Sequence, residues 1–184
     1  MGKYFNLPSA TAILIAAVLP GGCQRAATAP ASSHVLESDL QFITGLTNLV
    51  EFDHRVVDSS VHNNPDPRVR ALALDLQARV DAFNAKVQPV ATRDGILPPA
   101  DMSLFEQSDM HTRVAALMAT SKYDFDQEFL SDEIYGNKHV LRQAEEVIRE
   151  PSGDPELHAL ASEAVARLRE NVTRLEALQA EMKS

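Results

Sequence analysis

Tryptophan is absent from this chain of 184 residues, cysteine occurs once, and aromatic residues make up only 5% of it. The single cysteine, Cys23, excludes an intrachain disulfide, so stability has to come from packing. With few aromatics the interior must be built from Leu, Val and Ala, a supply that suits helices packed on helices. No alternating apolar and polar run of β-branched residues competes with the helical spacing described below. Positive charge is short as well: 17 Lys and Arg stand against 26 Asp and Glu, a net charge of −9. An acidic surface argues against nucleic acid as a partner, and against docking on anionic lipid by charge alone. A glycine-rich phosphate loop, a serine nucleophile elbow, a Cys/His pair and a calcium loop with alternating oxygen ligands are all missing. Their absence points away from an enzyme.

What is present begins at the N-terminus. Lys3 supplies a positive start, and Leu7 through Leu19 form a mostly apolar stretch interrupted by Pro8, Ser9 and Thr11. That stretch is shorter than the ~20 residues needed to span a bilayer. Gly21 and Gly22 then lead into Cys23, the layout of a bacterial lipoprotein export signal in which the cysteine is lipidated. Pro20 occupies the place where such a signal usually has Leu, with Leu19 one residue further back. The competing readings are an ordinary signal-peptidase cut at Ala29-Pro30-Ala31 and a retained anchor. Residues 1–22 are thus read as a signal peptide, 23–35 as a lipidated, flexible tether and 36–184 as the folded domain. The expected location is the bacterial cell envelope, facing the periplasm, or the periplasm itself without lipid. Loss of Lys3 with the signal leaves 16 basic against 26 acidic residues, a charge of −10.

Helix starts are well marked. Asp66-Pro67 and Asp154-Pro155 each place an N-cap acid before a proline at the first helical position. Asp124 followed by Gln127 has the spacing of a capping box. Gly95 with Pro98-Pro99, and Pro151-Ser152-Gly153, are breaks. Long helices are expected over about 36–63, 67–88, 124–149 and 155–182, with a shorter one near 103–119. Apolar stripes at helical spacing run through Ile43, Leu46, Leu49, Val50, Val56, Val57 and Val61 in the first. They run through Val69, Leu72, Ala73, Leu76, Val80, Phe83 and Val87 in the second, and Leu130, Ile134, Leu141, Ala144 and Ile148 in the third. Leu157, Leu160, Ala164, Leu168, Leu175, Leu178 and Met182 mark the fourth. The fold class is all-α, a four-helix bundle, and the long second connection permits a ferritin-like crossover.

Three polar residues interrupt these stripes: Asp53, Asn137 and Asn171. If the bundle forms, they point at one another, and each buried without a partner would be unfavourable by ~1–3 kcal/mol. The expected outcome is a polar network in which the two amides donate to Asp53. It either fixes helix register or is an altered metal or ligand site. Asp124, Asp126, Glu128, Asp132 and Glu133 are expected to favour the start of the third long helix through its dipole. Mid-helix Gly136 suggests a close helix approach or a ligand beside Asn137. A second candidate lies on a flank of the first helix. Glu51, His54, Asp58 and His62 follow at steps of three, four and four, a donor set that could hold zinc or another borderline cation. A solvated charged flank with Arg55 is the simpler account.

Taken together, several pieces resemble a family of bacterial envelope proteins, the ferritin-like "predicted outer membrane protein" group known as domain of unknown function 4142. They are Leu36-x-Ser38-Asp39-x-x-Phe42, Asp66-Pro67-Arg68-Val69 with Leu72-Ala73-x-x-Leu76, and Gly95-Ile96-x-Pro98. Phe125-Asp126-x-x-Phe129-Leu130 and Asp154-Pro155-Glu156-Leu157-x-x-x-Ala161 complete the set. The resemblance covers residues 36–182 and implies a ferritin-like bundle in the periplasm or on the outer membrane. It also implies a Glu on the first helix, Asp-His pairs on the second and third, and a His on the fourth, as in di-metal carboxylate bundles. Here those positions read Asp53 (or Glu51), Arg79-Val80, Gly136-Asn137 and Asn171. Amides are poor transition-metal ligands and valine is none. The expectation is a non-catalytic binding or structural module with a degenerate metal site and no cofactor. Its partner would be an envelope protein or ligand, and the membrane through the lipid on Cys23. The alternative is an iron- or zinc-binding redox or storage protein.

Overall fold

A computed structural model describes residues 35–63, 65–96, 108–121, 124–150 and 153–184, with the backbone alone for 59–63. All lie in one compact unit, Ser32–Ser184. The described residues are helical and contain no strand: α1 Glu37–Asn63, α2 Pro67–Arg93, α3 Asp109–Ala119, α4 Phe125–Arg149 and α5 Pro155–Lys183. None of these helices is long and apolar enough to cross a membrane.

The helix ends follow from local chemistry. The Asp66 carboxylate accepts from the Arg68 amide at 2.8 Å, and Asp154 accepts from Glu156 and Leu157 at 2.7 and 3.0 Å. Pro67 and Pro155 follow these caps, where a missing N–H leaves no bond unmade. Helix α2 runs on to Arg93 rather than stopping at 88. Pro89 is exposed, while Val87, Val90 and Ala91 hold the turn in the core. The stop comes at Gly95, whose φ of +69° suits glycine. Ile96 N–H then reaches back to the Ala91 carbonyl at 2.9 Å, and buried Ile96 seals the end. The capping box expected at Asp124 is not formed: its backbone is already helical, and its side chain accepts from Ser121 instead. Of the short helix expected over 103–119, the described part starts at Asp109, capped by Ser108, and 103–107 lie outside the described residues.

Helix α1 packs on α2 and α4, and α5 packs on α4 and α2. Cross-helix contacts show each of these neighbours to be antiparallel: His54–Asp81, Gly45 against Gln143 and Met110–Leu49 around Gly136, Lys138–Glu176 with Arg169–Glu145, and the α2–α5 pairs below. The consecutive long helices α2 and α4 are therefore parallel and stand at opposite corners. The chain between them has to cross the bundle, as its length permitted.

Along the α2–α5 seam, charge sets the register. Arg68–Glu181, Asp75–Arg174, Arg79–Glu170, Lys86–Glu163 and Arg93–Glu156 pair in opposite chain order, at steps of seven, four, seven and seven on both helices. Such half-exposed pairs add little stability each, but a slipped register would break all of them. At the far end of the bundle the Asp126 carboxylate receives the Asp66 amide at 3.0 and 3.3 Å, tying the α1–α2 turn to α4. Asp126→Ala should destabilise the protein by about 1 kcal/mol, read as a lower urea midpoint with unchanged slope.

Candidate functional site: the polar centre of the bundle

The core is Phe42, Phe52, Phe125 and Phe129 with Leu, Ile, Val and Ala from every helix. In its midst sit four buried polar side chains: Asp53 on α1, Glu133 and Asn137 on α4, and Asn171 on α5. They form a chain. Asn171 Nδ2 donates to Asn137 Oδ1 at 3.1 Å, and Asn137 Nδ2 donates to Glu133 Oε2 at 3.1 Å and to the Glu133 carbonyl at 2.9 Å. Glu133 and Asp53 are hydrogen-bonded to each other. Asp53 Oδ1 is buried and accepts no hydrogen bond.

Glu133 is the residue that sequence reasoning missed. The dipole reading groups it with its acidic neighbours at the helix start and gives it no place in the core, yet it is 1% exposed. Asp132 departs from that assignment too, being buried and paired with Arg113 at 2.6 Å. The cause is a phase error of one residue. Ile134 and Leu141 are only partly buried and Ile148 is 39% exposed, whereas 133, 137, 140, 144 and 147 form the inner face. Steps of four, three, four and three through those positions were the available signal. One consequence corrects the expected network: Asn137 donates to Glu133, and no amide donation to Asp53 is found.

Two carboxyl groups in contact inside an apolar core cannot both ionise. Burial, then the Glu133 charge, holds Asp53 well above the usual carboxylate range, and burial pushes Glu133 up to about 7. Glu133 is the acceptor of the pair, since its bonds from Asp53 and Asn137 pull it down against that burial. The charges nearest them reinforce the effect: Asp81 on α2 raises Asp53, and Asp132 raises Glu133. Arg113 is occupied by Asp132, and α5 contributes Asn171, which carries no charge.

Helix α3 lies over this part of α4. A Cβ on Gly136 would stand 2.9 Å from Met110 Cε and 3.1 Å from Leu49 Cδ1, so the glycine admits α3 and α1 to close approach. Tyr135 hydroxyl donates to Asp109, and the Arg113 guanidinium stacks 3.7 Å above the Tyr135 ring. The close approach expected at Gly136 is thus one of side chains from two helices.

Of the flank candidate, the described side chains Glu51, His54 and Asp58 are not brought together. Glu51 pairs with Arg55 at 2.8 Å, His54 reaches across to Asp81 at 2.8 Å, and Asp58 is exposed. The side chain of His62, like Cys23, lies outside the described residues. Among the described residues no three His, Cys, Asp or Glu side chains stand together to hold a metal ion. A di-metal centre, as the resemblance implies, does not fit the central residues either. Its donor set is two carboxyls spent on each other plus two amides, and Val80 offers nothing.

This geometry defines an all-α bundle with a closed carboxyl–amide centre. The comparisons agree with the class: a DUF305 fragment from Deinococcus radiodurans, known from its crystal structure, superposes with a TM-score of 0.65. That match is 19% identical and covers 79% of this chain and 97% of the fragment, so it speaks for the fold alone. No curated protein matches the chain. Residues 24–178 match the family described as domain of unknown function 4142, and the chain belongs to that family.

Proposed function

We propose that the protein is an exported helical-bundle module of the bacterial cell envelope, one that binds a partner or supports structure rather than catalysing a reaction. In this reading Cys23 carries the lipid, the segment to residue 35 is a tether, and the bundle faces the periplasm. The net charge of −9 supports a protein or small-ligand partner over nucleic acid. The observation that carries the non-catalytic reading is the polar centre itself. Asp53, Glu133, Asn137 and Asn171 are at most 8% exposed, they bond in a chain, and no histidine stands among them. A catalytic group needs access to substrate, and a transition-metal centre needs nitrogen or free carboxylate donors.

The competing reading, iron or zinc held in the bundle for redox or storage, has the unpartnered Asp53 Oδ1 in its favour and the donor set against it. Elemental analysis of protein purified without chelator, before and after incubation with iron, zinc and manganese, separates the two. Metal at trace level is the expected result; one or two ions per chain would overturn the non-catalytic reading. Export is tested separately. Full-length protein should fractionate with membranes, and Cys23→Ser should move it to the soluble periplasmic fraction.

A further inference from the structure

We infer that α3 is a lid over the Asp53–Glu133 pair, closed while the pair is neutral and lifted when it ionises. The register of three helices places the pair beneath it. Met110 of α3 and Leu49 of α1 converge on Gly136 of α4. Three residues on, Arg113 bonds Asp132 and lies over the Tyr135 ring, so α3 runs against α4 and along α1. One turn from the Met110 contact, Val114, Asp53 and Glu133 therefore stand at one level. Val114 is buried there, and Asp53 Oδ1 is buried without a hydrogen bond. Helix α3 thus closes the α1–α4 seam over the two carboxyls.

The other walls are harder to move. Helices α2, α4 and α5 bury seven to ten residues each, whereas α3 buries Met110, Val114 and Leu117. A helix of 11 residues is also too short to hold its shape without packing, so α3 leaves as one weakly anchored unit. Its bonds from Arg113 to Asp132 and from Tyr135 to Asp109 both end on α4, and water replaces them when it lifts. A cavity of about 20 Å³, room for one water, already lies at its start between Gly45, Asn48, Asp109 and Gly136. Asn48 Oδ1 beside that cavity is buried without a hydrogen bond. A charge on the pair has no counter-ion. Asp81 on α2 is paired with His54 of α1, Asp132 on α4 with Arg113 of α3, and α5 presents the amide of Asn171. Of these ionised groups, the ones that act on the pair are acids, Asp81 on Asp53 and Asp132 on Glu133. An ionised pair under a closed α3 is thus an uncompensated buried charge, and water entering the α1–α4 seam relieves it.

Neither export nor metal content enters this reading, so its failure would leave those two tests unaffected. Opening and ionisation are linked. Glu133 is pushed up to about 7 under the lid and titrates at about 4 once hydrated, so each pH unit between favours the open lid about tenfold more. Hydrogen exchange followed by mass spectrometry on the full-length protein, corrected for the intrinsic exchange rate, reads the opening helix by helix. At pH 7 the amides of α3 should be less protected than those of α5. From pH 5 to 7 the protection of α3 should fall about tenfold per unit. Glu133→Gln should flatten that fall, since the amide keeps the shape of the neutral acid and cannot ionise; a melting curve confirms its fold. Asp53→Asn should move the fall to lower pH, because its amide can donate to an ionised Glu133. Protection of α3 equal to that of α5 at pH 7 would overturn the inference. So would a wild-type α3 whose protection does not change with pH, or a fall that survives in Glu133→Gln.

Discussion

Raising the pH from about 5 to 8 should destabilise this protein by a few kcal/mol, with the steepest loss below pH 7. The cause is the Asp53–Glu133 pair. Unfolded, both carboxyls titrate near 4; folded, Glu133 is pushed up to about 7 and Asp53 is held well above the usual carboxylate range. An acid whose folded pKa lies above its unfolded value keeps its proton longer in the folded state. Between about 4.5 and 7 the folded pair therefore binds more protons than the unfolded chain. Each excess proton lowers stability by up to ~1.4 kcal/mol per pH unit as the pH rises. Above 7 Glu133 has ionised, so the slope falls. Asp39, Asp126 and Asp132, raised by burial, act in the same direction. Asp66, Asp75 and Glu163 are lowered by their cationic partners and act oppositely, losing their contribution only as the pH falls through the acid range. Urea unfolding followed by circular dichroism from pH 4.5 to 8.5 measures the slope. Glu133→Gln should flatten it, since an amide can occupy the same place without a charge to neutralise. A wild-type protein equally stable at pH 5 and 8 would mean that the pair is hydrated or apart in solution.

The second large effect separates the whole polar centre from its parts. Replacing Asp53, Asn137 and Asn171 together by Leu leaves Glu133 buried with neither a proton-sharing partner nor an amide donor. Removing the partners of a buried charge is destabilising by roughly 3–5 kcal/mol, which is a large share of the 5–15 kcal/mol that holds a typical domain. The loss should be smaller at pH 5, where Glu133 is neutral, than at pH 8. Adding Glu133→Met to the triple variant should restore stability to the wild-type level or above it. Wholly apolar replacements of buried ionic groups are often neutral or stabilising by about 1–4 kcal/mol. The fourfold variant should also lose the pH dependence contributed by the pair. A triple variant as stable as wild type at pH 8 would show that Glu133 finds water or another partner. Failure of the fourfold variant to recover would point to overpacking by the larger side chains.

These two experiments exist because of one residue that the chain did not announce. The apolar stripes of the other three long helices, the proline-marked helix starts and the interruptions at Asp53, Asn137 and Asn171 were all legible, since each depends on spacing within one helix. The inner face of α4 was not. Ile134, Leu141 and Ile148 form a stripe as regular as the one that is buried, and they sit one residue from it. Hydrophobicity alone favoured the wrong phase, because the true face carries Glu133, Gly136 and Asn137 among its members. Only the packing of α1 and α3 on α4 chooses between the two. Met110 and Leu49 closing on Gly136 turn that face inward and take Glu133 with it.

The same division holds elsewhere. Capping at Asp66 and Asp154 and the supply of aliphatic core residues are local or compositional, so the sequence by itself determined them, and with them an all-α bundle. The family is likewise set by short motifs in order, including Asp126, whose bond to the Asp66 amide the motif did not explain. Tertiary structure alone decided which acids are buried, that Pro89 stays inside α2, and that Glu51 and His54 turn to separate partners. The physical reason is that a side chain's environment is made by residues distant in the chain. A carboxyl between two apolar helices and one at a solvated helix start look alike until the neighbouring helices are in place.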